Sequence, residues 1–358
     1  MSDSMEVAVI GGGVMGLSTA WELARRGLKP VVFDRFARGH HQGASHGATR
    51  NFNNAYDEEH YLDLLVRARE GWNALGQVDG EPLLRLHGLV THGDVDVAVI
   101  ERRLIDRGIH AETLTAGEAS SRWSGMRFGD DVLFSRDAGV ARASAALGEL
   151  ERRIVAAGGE VRWETPVAHR GDRRGRRHHA VRRADAGRRR RRHGRRLDRA
   201  DAARHPPASA GGHRGVPRAL PPQRGRRVAV VQSLRRPRPP PGDGLRHADA
   251  RRGRQGRLPP RGRRRRPRCP SARGHARGAL ADYVREWMPG LDPASAVPVS
   301  CTYTSTDDSA FVLDRRGRIV VGAGFSGHGF KFAPGVGATL ADLALDPTAL
   351  AAAPFRLS

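Results

Sequence analysis

Two side chains in the last fifth of this 358-residue chain have the types that could do chemistry. Cys301 opens the run Cys301-Thr302-Tyr303-Thr304, and Lys331 is the only lysine in the C-terminal half. A free cysteine usually ends as an inert buried thiol, and a lysine as a solvated surface charge. Phe330 and Phe332 flank Lys331, which argues for burial instead. Nine residues separate the expected strand Ile319-Val320-Val321 from Lys331, and four of them are glycine. Glycines that dense after a strand let backbone approach something flat or charged. By composition alone, a tight turn before a last helix would serve equally well.

The elements that must position such groups begin at the other end. Val7-Ala8-Val9-Ile10 is a short apolar run, expected as a buried parallel strand. Gly11-Gly12-Gly13-Val14-Met15-Gly16 follows, a G-x-G-x-x-G. A helix is predicted next, with apolar positions Val14, Leu17, Ala20, Leu23 and Ala24. A second strand, Pro30-Val31-Val32-Phe33, closes on Asp34. Strand, glycine turn, helix and an acidic residue about 20 positions on form the context of a dinucleotide-binding unit. In that reading Gly11 permits the turn, Gly13 lets backbone approach a pyrophosphate, and Gly16 lets helix and strand pack. The helix N-terminus faces the phosphates, and Asp34 binds the ribose hydroxyls of an adenosine half.

Cys301-x-Tyr303-Thr304 followed by Gly324-Phe325-Ser326-Gly327-His328-Gly329-Phe330-Lys331-Phe332 resembles the monomeric sarcosine oxidase and N-methyl-L-tryptophan oxidase family. These are flavin amine oxidases of the wider D-amino-acid oxidase group. The resemblance covers about residues 5–167 and 278–345. It implies an α/β fold with a Rossmann-type FAD-binding domain and a mixed-sheet substrate domain. The FAD-binding parts are expected at 5–83, 138–167 and 310–345, and the substrate parts at 84–137 and 277–309. It also implies FAD bonded covalently to Cys301, Lys331 holding a substrate carboxylate, and Tyr303 lining the substrate cavity. Gly43-Ala44-Ser45-His46-Gly47-Ala48-Thr49-Arg50 is similar to the family segment that runs along the flavin. His46 and Arg50 are then placed near the ring, and Ser45 and Thr49 along the cofactor. By the same resemblance Val14, Met15 and Arg35 join the cofactor contacts, as do Gly324, Gly327, Gly329, Phe330 and Lys331 itself. The implied reaction oxidises a small N-methyl amino acid with O2, giving hydrogen peroxide. One position departs from the pattern. Asn53 stands where the family often has a second arginine for the carboxylate, and an amide offers no charged fork.

Composition sets the remaining bounds. No apolar run is long enough to span a bilayer, and the first strand starts too early for a leader. Two cysteines, Cys269 and Cys301, give no disulfide framework. A cytoplasmic protein, monomeric and off the membrane, is expected, and no metal-ligand set is read. Between the motifs the pattern predicts helices over Glu58–Leu75, Val97–Arg107 and within Val140–Ala157. Strands are predicted around Gly88 and at Glu160–Trp163. Thr115 and Glu118 have capping-box spacing. A helix over Ala279–Pro289 leads to Cys301.

The net charge of +24 is unevenly spread. Residues 168–276 hold 36 Arg and 6 Asp with no Lys or Glu, while the rest of the chain is mildly acidic. This block also lacks Phe, Trp, Tyr, Ile, Met and Asn, a composition that stays disordered. One reading is an arginine-rich insert that binds nucleic acid. An insert should leave its host's elements intact, however, and here a core strand and a second flavin contact are missing. Back-translation suggests a frame error. A permitted coding of His193-Gly194-Arg195-Arg196-Leu197-Asp198-Arg199, shifted by one base, reads Thr-Ala-Gly-Ala-Trp-Thr-Ala, which resembles the family's flavin-contact motif. The same shift over Leu245–Pro259 turns the codon of Gln255 into Lys or Arg. A compensated pair of frameshifts is therefore the expectation for this block.

Overall fold

Val31–Phe33 is the middle strand of a three-stranded parallel sheet, with Ala8–Ile10 on one side and Glu160–Arg162 on the other. Parallel neighbours need a crossover, and helix Val14–Arg25 supplies the first. This computed structural model describes residues 7–93, 95–171, 177–181, 230–233, 270–297 and 302–357. The second crossover, from Asp34 to Glu160, is long and carries most of two further sheets. In one, Gly139–Arg142 lies antiparallel between Thr49–Phe52 and Leu84–Leu86. In the other, Leu89–His92 pairs antiparallel with Val132–Ser135, which pairs with Glu112–Leu114, and parallel with Val230–Ser233. The architecture is α/β with a parallel sheet at the glycine motif and a mixed sheet beyond it.

The expected helices form close to their expected bounds. Glu59–Leu75 starts after Glu58, and Val97–Ile105 is capped by Asp96. Thr115 and Glu118 make the reciprocal capping box before Ala116–Arg122, each satisfying an amide that the first turn leaves unpaired. Ala143–Ala156 ends before Gly158, whose φ of +83° suits glycine. The helix before residue 301 is longer than its apolar pattern indicates. It spans Pro270–Trp287, because alanines and arginines extend it backwards to a proline at its first turn.

Within 168–276 short strands are described. Val167–Gly171 pairs antiparallel with Arg177–Val181, a ladder made by backbone groups and needing no apolar side chain. Val230–Ser233 falls in the block's apolar run Val228-Ala229-Val230-Val231. The rest of 182–269 lies outside the described residues, and with it the expected Thr-Ala-Gly-Ala-Trp site and the Gln255 site.

A hairpin of Val312–Arg316 and Ile319–Ala323 delivers the second glycine loop. A 3-10 turn, Phe330–Phe332, then runs into helix Ala333–Leu345. That helix packs on Val14–Arg25 and Glu59–Leu75, joining the two glycine loops through one core that includes Leu17, Trp21, Leu65, Trp72, Val336 and Leu340. The approach is close. A Cβ on Gly337 would stand 2.6 Å from the Ser18 backbone. Among the described residues no helix is long and apolar enough to cross a membrane.

Candidate functional site

The first glycine loop is built for close backbone contact. Gly11 has φ +112°, and a Cβ on Gly16 would lie 1.9 Å from the Gly11 carbonyl oxygen. Only glycine at both positions lets the first helix turn back onto its strand. Gly13 is the N-cap, and it offers no capping side chain of its own. Ser45 replaces it from the neighbouring loop, where its Oγ accepts the Val14 N–H at 3.0 Å. Asp34 is buried at the end of the second strand. Its Oδ2 accepts the Gly12 N–H at 2.7 Å and its Oδ1 the Phe36 N–H at 2.8 Å. Oδ1 also faces His40 Nε2 at 3.5 Å, and Oδ2 keeps a lone pair for a ribose hydroxyl. This cradle fits the diphosphate and adenosine parts of a dinucleotide, which need bare backbone, a helix N-terminus and an acceptor in that order. Arg35, beside it, is exposed with its guanidinium over Phe36 at 5.3 Å.

Met15 links the first loop to the second. Its Cε lies 2.9 Å from where a Gly329 Cβ would stand. Gly324 and Gly327 have φ of +67° and +83°, and Ser326 between them has φ +46°. From the other side the 44–50 loop closes in. The Arg50 guanidinium donates to the carbonyls of Thr49 at 2.8 Å, Ala44 at 2.9 Å and His46, and it lies 5.7 Å from the centre of the Phe330 ring. His46 stacks on His41 at 4.8 Å. Thr49 pairs in register with Arg142. The structure thus brings Met15 to Gly329, Ser45 to Val14 and Arg50 to Phe330, whereas Gly324 lies against Thr306, Ala310 and Val312.

Lys331 places a buried cation beside the second loop. It is 6% exposed, and burial lowers its pKa from 10.5 to about 7. Its Nζ donates to the His328 carbonyl at 3.1 Å and lies 5.0 Å and 5.1 Å from the Tyr56 and Phe332 ring centres. No carboxylate among the described residues pairs with it. Its own carbonyl accepts the Trp72 indole N–H at 2.8 Å, which fixes the backbone there. Tyr56 also fixes His328. The His328 Nε2 faces the Ser309 carbonyl at 3.3 Å. A carbonyl can only accept, so Nε2 carries the proton and Nδ1 accepts from the Tyr56 hydroxyl at 3.1 Å. Burial, then the Lys331 charge, lowers the His328 pKa and keeps the ring neutral.

Other expected groups sit differently. Tyr303 is 60% exposed, with its ring lying over Gly327. Cys301 lies outside the described residues. Asn53 is buried, and its Oδ1 accepts the Ala55 N–H at 2.8 Å, so its carbonyl serves the local turn. Two surface concavities, of about 480 and 400 Å3, lie away from both loops, one at Arg67, Asp342 and Phe355 and one at Trp21 and Arg152. Their arginines are ion-paired, Arg26 and Arg67 with Asp342 and Arg152 and Arg153 with Glu149, whereas Lys331 has no such pair among the described residues. His328 stands within the second glycine motif, three residues before Lys331, but without an assigned role, and Tyr56 and Trp163 lie outside the motifs. Tyr56 could have been found only as an aromatic neighbour of a buried lysine, which spacing does not reveal.

A family described as FAD dependent oxidoreductase matches residues 6–343. Peroxisomal sarcosine oxidase of Mus musculus is 29% identical over 391 residues, covering 100% of this chain and 96% of that protein. N-methyl-L-tryptophan oxidase of Salmonella arizonae is 29% identical over 394 residues, covering 99% and 98%. Among solved structures, NikD, an amino acid oxidase of nikkomycin biosynthesis, superposes with a TM-score of 0.62 at 20% identity over 96% of this chain and 94% of that one. L-proline dehydrogenase of P. horikoshii gives a TM-score of 0.62 at 17% identity over 97% and 95%.

Proposed function

The chain belongs to the family of FAD-dependent oxidoreductases, and from that premise we propose that it oxidises a secondary, N-methylated amino acid, such as sarcosine or N-methyl-L-tryptophan, with O2 to give hydrogen peroxide. The observation that carries this reading is the buried Lys331 ammonium without a paired carboxylate among the described residues. A lone buried cation is costly, and a substrate carboxylate would neutralise it. Relatives named for oxidation of sarcosine and N-methyl-L-tryptophan over nearly their whole length support the choice of amine.

FAD, when bound, supplies a two-electron acceptor for the hydride removed beside the substrate nitrogen and for onward transfer to O2. The chain's own part is binding and electrostatics. Gly11, Gly13, Val14, Met15 and Gly16 would hold the diphosphate, Asp34 the ribose, and Ser45, Thr49, Arg50 and the 324–330 loop the flavin end. Lys331 anchors the carboxylate, while the Tyr56 and Phe332 rings flank the ammonium and exclude water from it. Neutral His328 keeps a second positive charge away from Lys331. Arg50 and His46 contribute charge and polarity near the ring, and Tyr303 covers Gly327 at the rim. We assign covalent attachment to Cys301. We divide the chain as expected, with FAD-binding parts at 5–83, 138–167 and 310–345, and read it as a monomer. With two cysteines in 358 residues it suits a reducing compartment such as the cytoplasm. Asn53 favours a second reading, an FAD-dependent oxidase or dehydrogenase for a different amine, because the site holds one carboxylate-directed cation instead of two.

The test is direct. Purified protein should consume O2 and form hydrogen peroxide with sarcosine or N-methyl-L-tryptophan, and its acid precipitate should stay yellow unless Cys301→Ser is introduced. Turnover of other amines but of neither N-methyl compound would establish the second reading. Resequencing the coding DNA across codons 160–280 tests the proposed frame error in 168–276, and an unchanged reading there would remove it.

A further inference from the structure

We infer that Trp163 is the stacking wall for the adenine of the bound FAD, held in place by a Trp163–Glu151–Arg38 chain. This rests on the FAD reading of the first glycine loop. The three parallel strands end side by side in the order Gly11, Asp34, Trp163, since Val31–Phe33 lies between Ala8–Ile10 and Glu160–Arg162. A dinucleotide lying across those C-terminal ends has its diphosphate at the first and its ribose at the second. The base then falls at the third, where Trp163 stands. The contact is already close. The Trp163 Cζ3 and Cη2 lie 2.6 and 2.9 Å from where a Gly12 Cβ would stand, with the Asp34 Cβ at 3.1 Å from the same point.

Trp163 is also held rather than loosely packed. Its indole N–H donates to Glu151 Oε1 at 3.0 Å, and Glu151 Oε2 pairs with Arg38 Nε at 2.7 Å. The backbone on either side is tied to the second strand's end, with the Thr165 N–H donating to the Asp34 carbonyl at 2.7 Å and the Asp34 N–H to the Arg162 carbonyl at 3.0 Å. The ring is half-buried, so one part packs on the glycine loop while the rest remains available. An aromatic face fixed beside a ribose-binding carboxylate suits a purine, because base–aromatic stacking requires only a flat partner.

The experiment compares FAD with FMN, which lacks the adenosine half. Full-length protein from the resequenced gene would carry Cys301→Ser so that flavin exchanges freely, and dissociation constants would be read from flavin fluorescence. Trp163→Ala should weaken FAD about tenfold and leave FMN unchanged, while Trp163→Phe should stay within about threefold of the parent for both. Gly12→Ala should weaken FAD by displacing the ring, and Gly12→Ala/Trp163→Ala should be no worse than Trp163→Ala alone, since neighbours that act through one contact are not additive. Equal weakening of FAD and FMN by Trp163→Ala would make the ring merely structural and overturn the assignment, as would no change in either. A parent that binds neither flavin would overturn the FAD reading itself.

Discussion

The two glycine loops bury opposite charges and treat them differently. At the first, Asp34 is 7% exposed, and backbone N–H groups of Gly12 and Phe36 already meet both its oxygens. At the second, Lys331 is 6% exposed, and its ammonium finds one carbonyl and two ring faces. Loop amides compensate a carboxylate cheaply because every residue but proline carries one. A carbonyl compensates an ammonium only partly, since it brings a dipole and no charge. The Asp34 charge is therefore met within the fold, and the glycines beside it serve geometry. The second is left short of one negative charge, as a site waiting for an anion should be.

The largest effect should come from breaking the geometry of the first loop. Gly16→Ala puts a methyl 1.9 Å from the Gly11 carbonyl oxygen. No side-chain rotation relieves a clash with backbone, so the helix must shift off its strand at a cost of about 1–3 kcal/mol. Flavin absorbance of the purified variant should be almost lost, with a clear fall in Tm. Retention of full flavin content would show that this loop does not hold the cofactor.

Lys331→Met tests the other half. A charge-assisted contact is worth about 1.5–3 kcal/mol, so KM for a carboxylated amine should rise about 10- to 150-fold. The rise should lie toward the upper end, because Asn53 brings no charge to share the load. Flavin content should hardly change. An unchanged KM for every carboxylated amine tried would remove Lys331 from the site.

These loops also differ in how much of them the sequence displays. Gly11, Gly13, Gly16 and Asp34 sit at fixed offsets on consecutive elements, so spacing alone assigns their places. Trp163 is as close to Gly12 as Asp34 is, yet 151 residues separate it from Gly12 in the chain. Only the sheet order brings them together. At the second loop, flanking phenylalanines indicate burial of Lys331, but the Tyr56–His328–Ser309 chain spans three separate segments and has no spacing to read. Helix starts were legible where a cap is local, as at Thr115 and Glu118. Pro270–Trp287 was not, because its first half carries propensity without an apolar stripe.

A third prediction uses pH to separate the buried charges. Burial lowers the Lys331 pKa from 10.5 in the unfolded chain to about 7. Between those values the unfolded state binds a proton that the folded state lacks, so this group makes stability rise with pH across that window. The relief is complete above about pH 10.5 and gone below about pH 7. Lys331→Met should therefore raise Tm most at pH 6 to 7 and match the parent near pH 10.5. Affinity for a simple carboxylate lacking an amine should run the other way, falling about tenfold per pH unit above about 7 as the ammonium is lost. A flat affinity profile from pH 6 to 9 would mean that the anion is held elsewhere or that Lys331 stays charged throughout.

The smallest effect concerns the one non-glycine held in the left-handed region inside the second loop. Ser326 has φ +46°, with its N–H donating to the Thr304 carbonyl at 3.0 Å and its Oγ to the Gly324 carbonyl at 2.9 Å. Left-handed backbone costs a serine about 1–2 kcal/mol, which Ser326→Gly would recover. The same change loses a hydroxyl hydrogen bond worth about 0.5–1.5 kcal/mol and adds about 0.5–1 kcal/mol of unfolded-chain entropy. These oppose one another, so net stability should move by less than about 1 kcal/mol, a shift visible in Tm but small. KM and flavin content should not move, because the hydroxyl is taken up by the Gly324 carbonyl and by Thr306, whose N–H lies 3.4 Å from it. A several-fold change in KM without a change in Tm would place the Ser326 hydroxyl against substrate. The second loop would then supply a polar contact as well as the uncompensated ammonium, and the contrast with the self-satisfied first loop would be sharper than the charges alone make it.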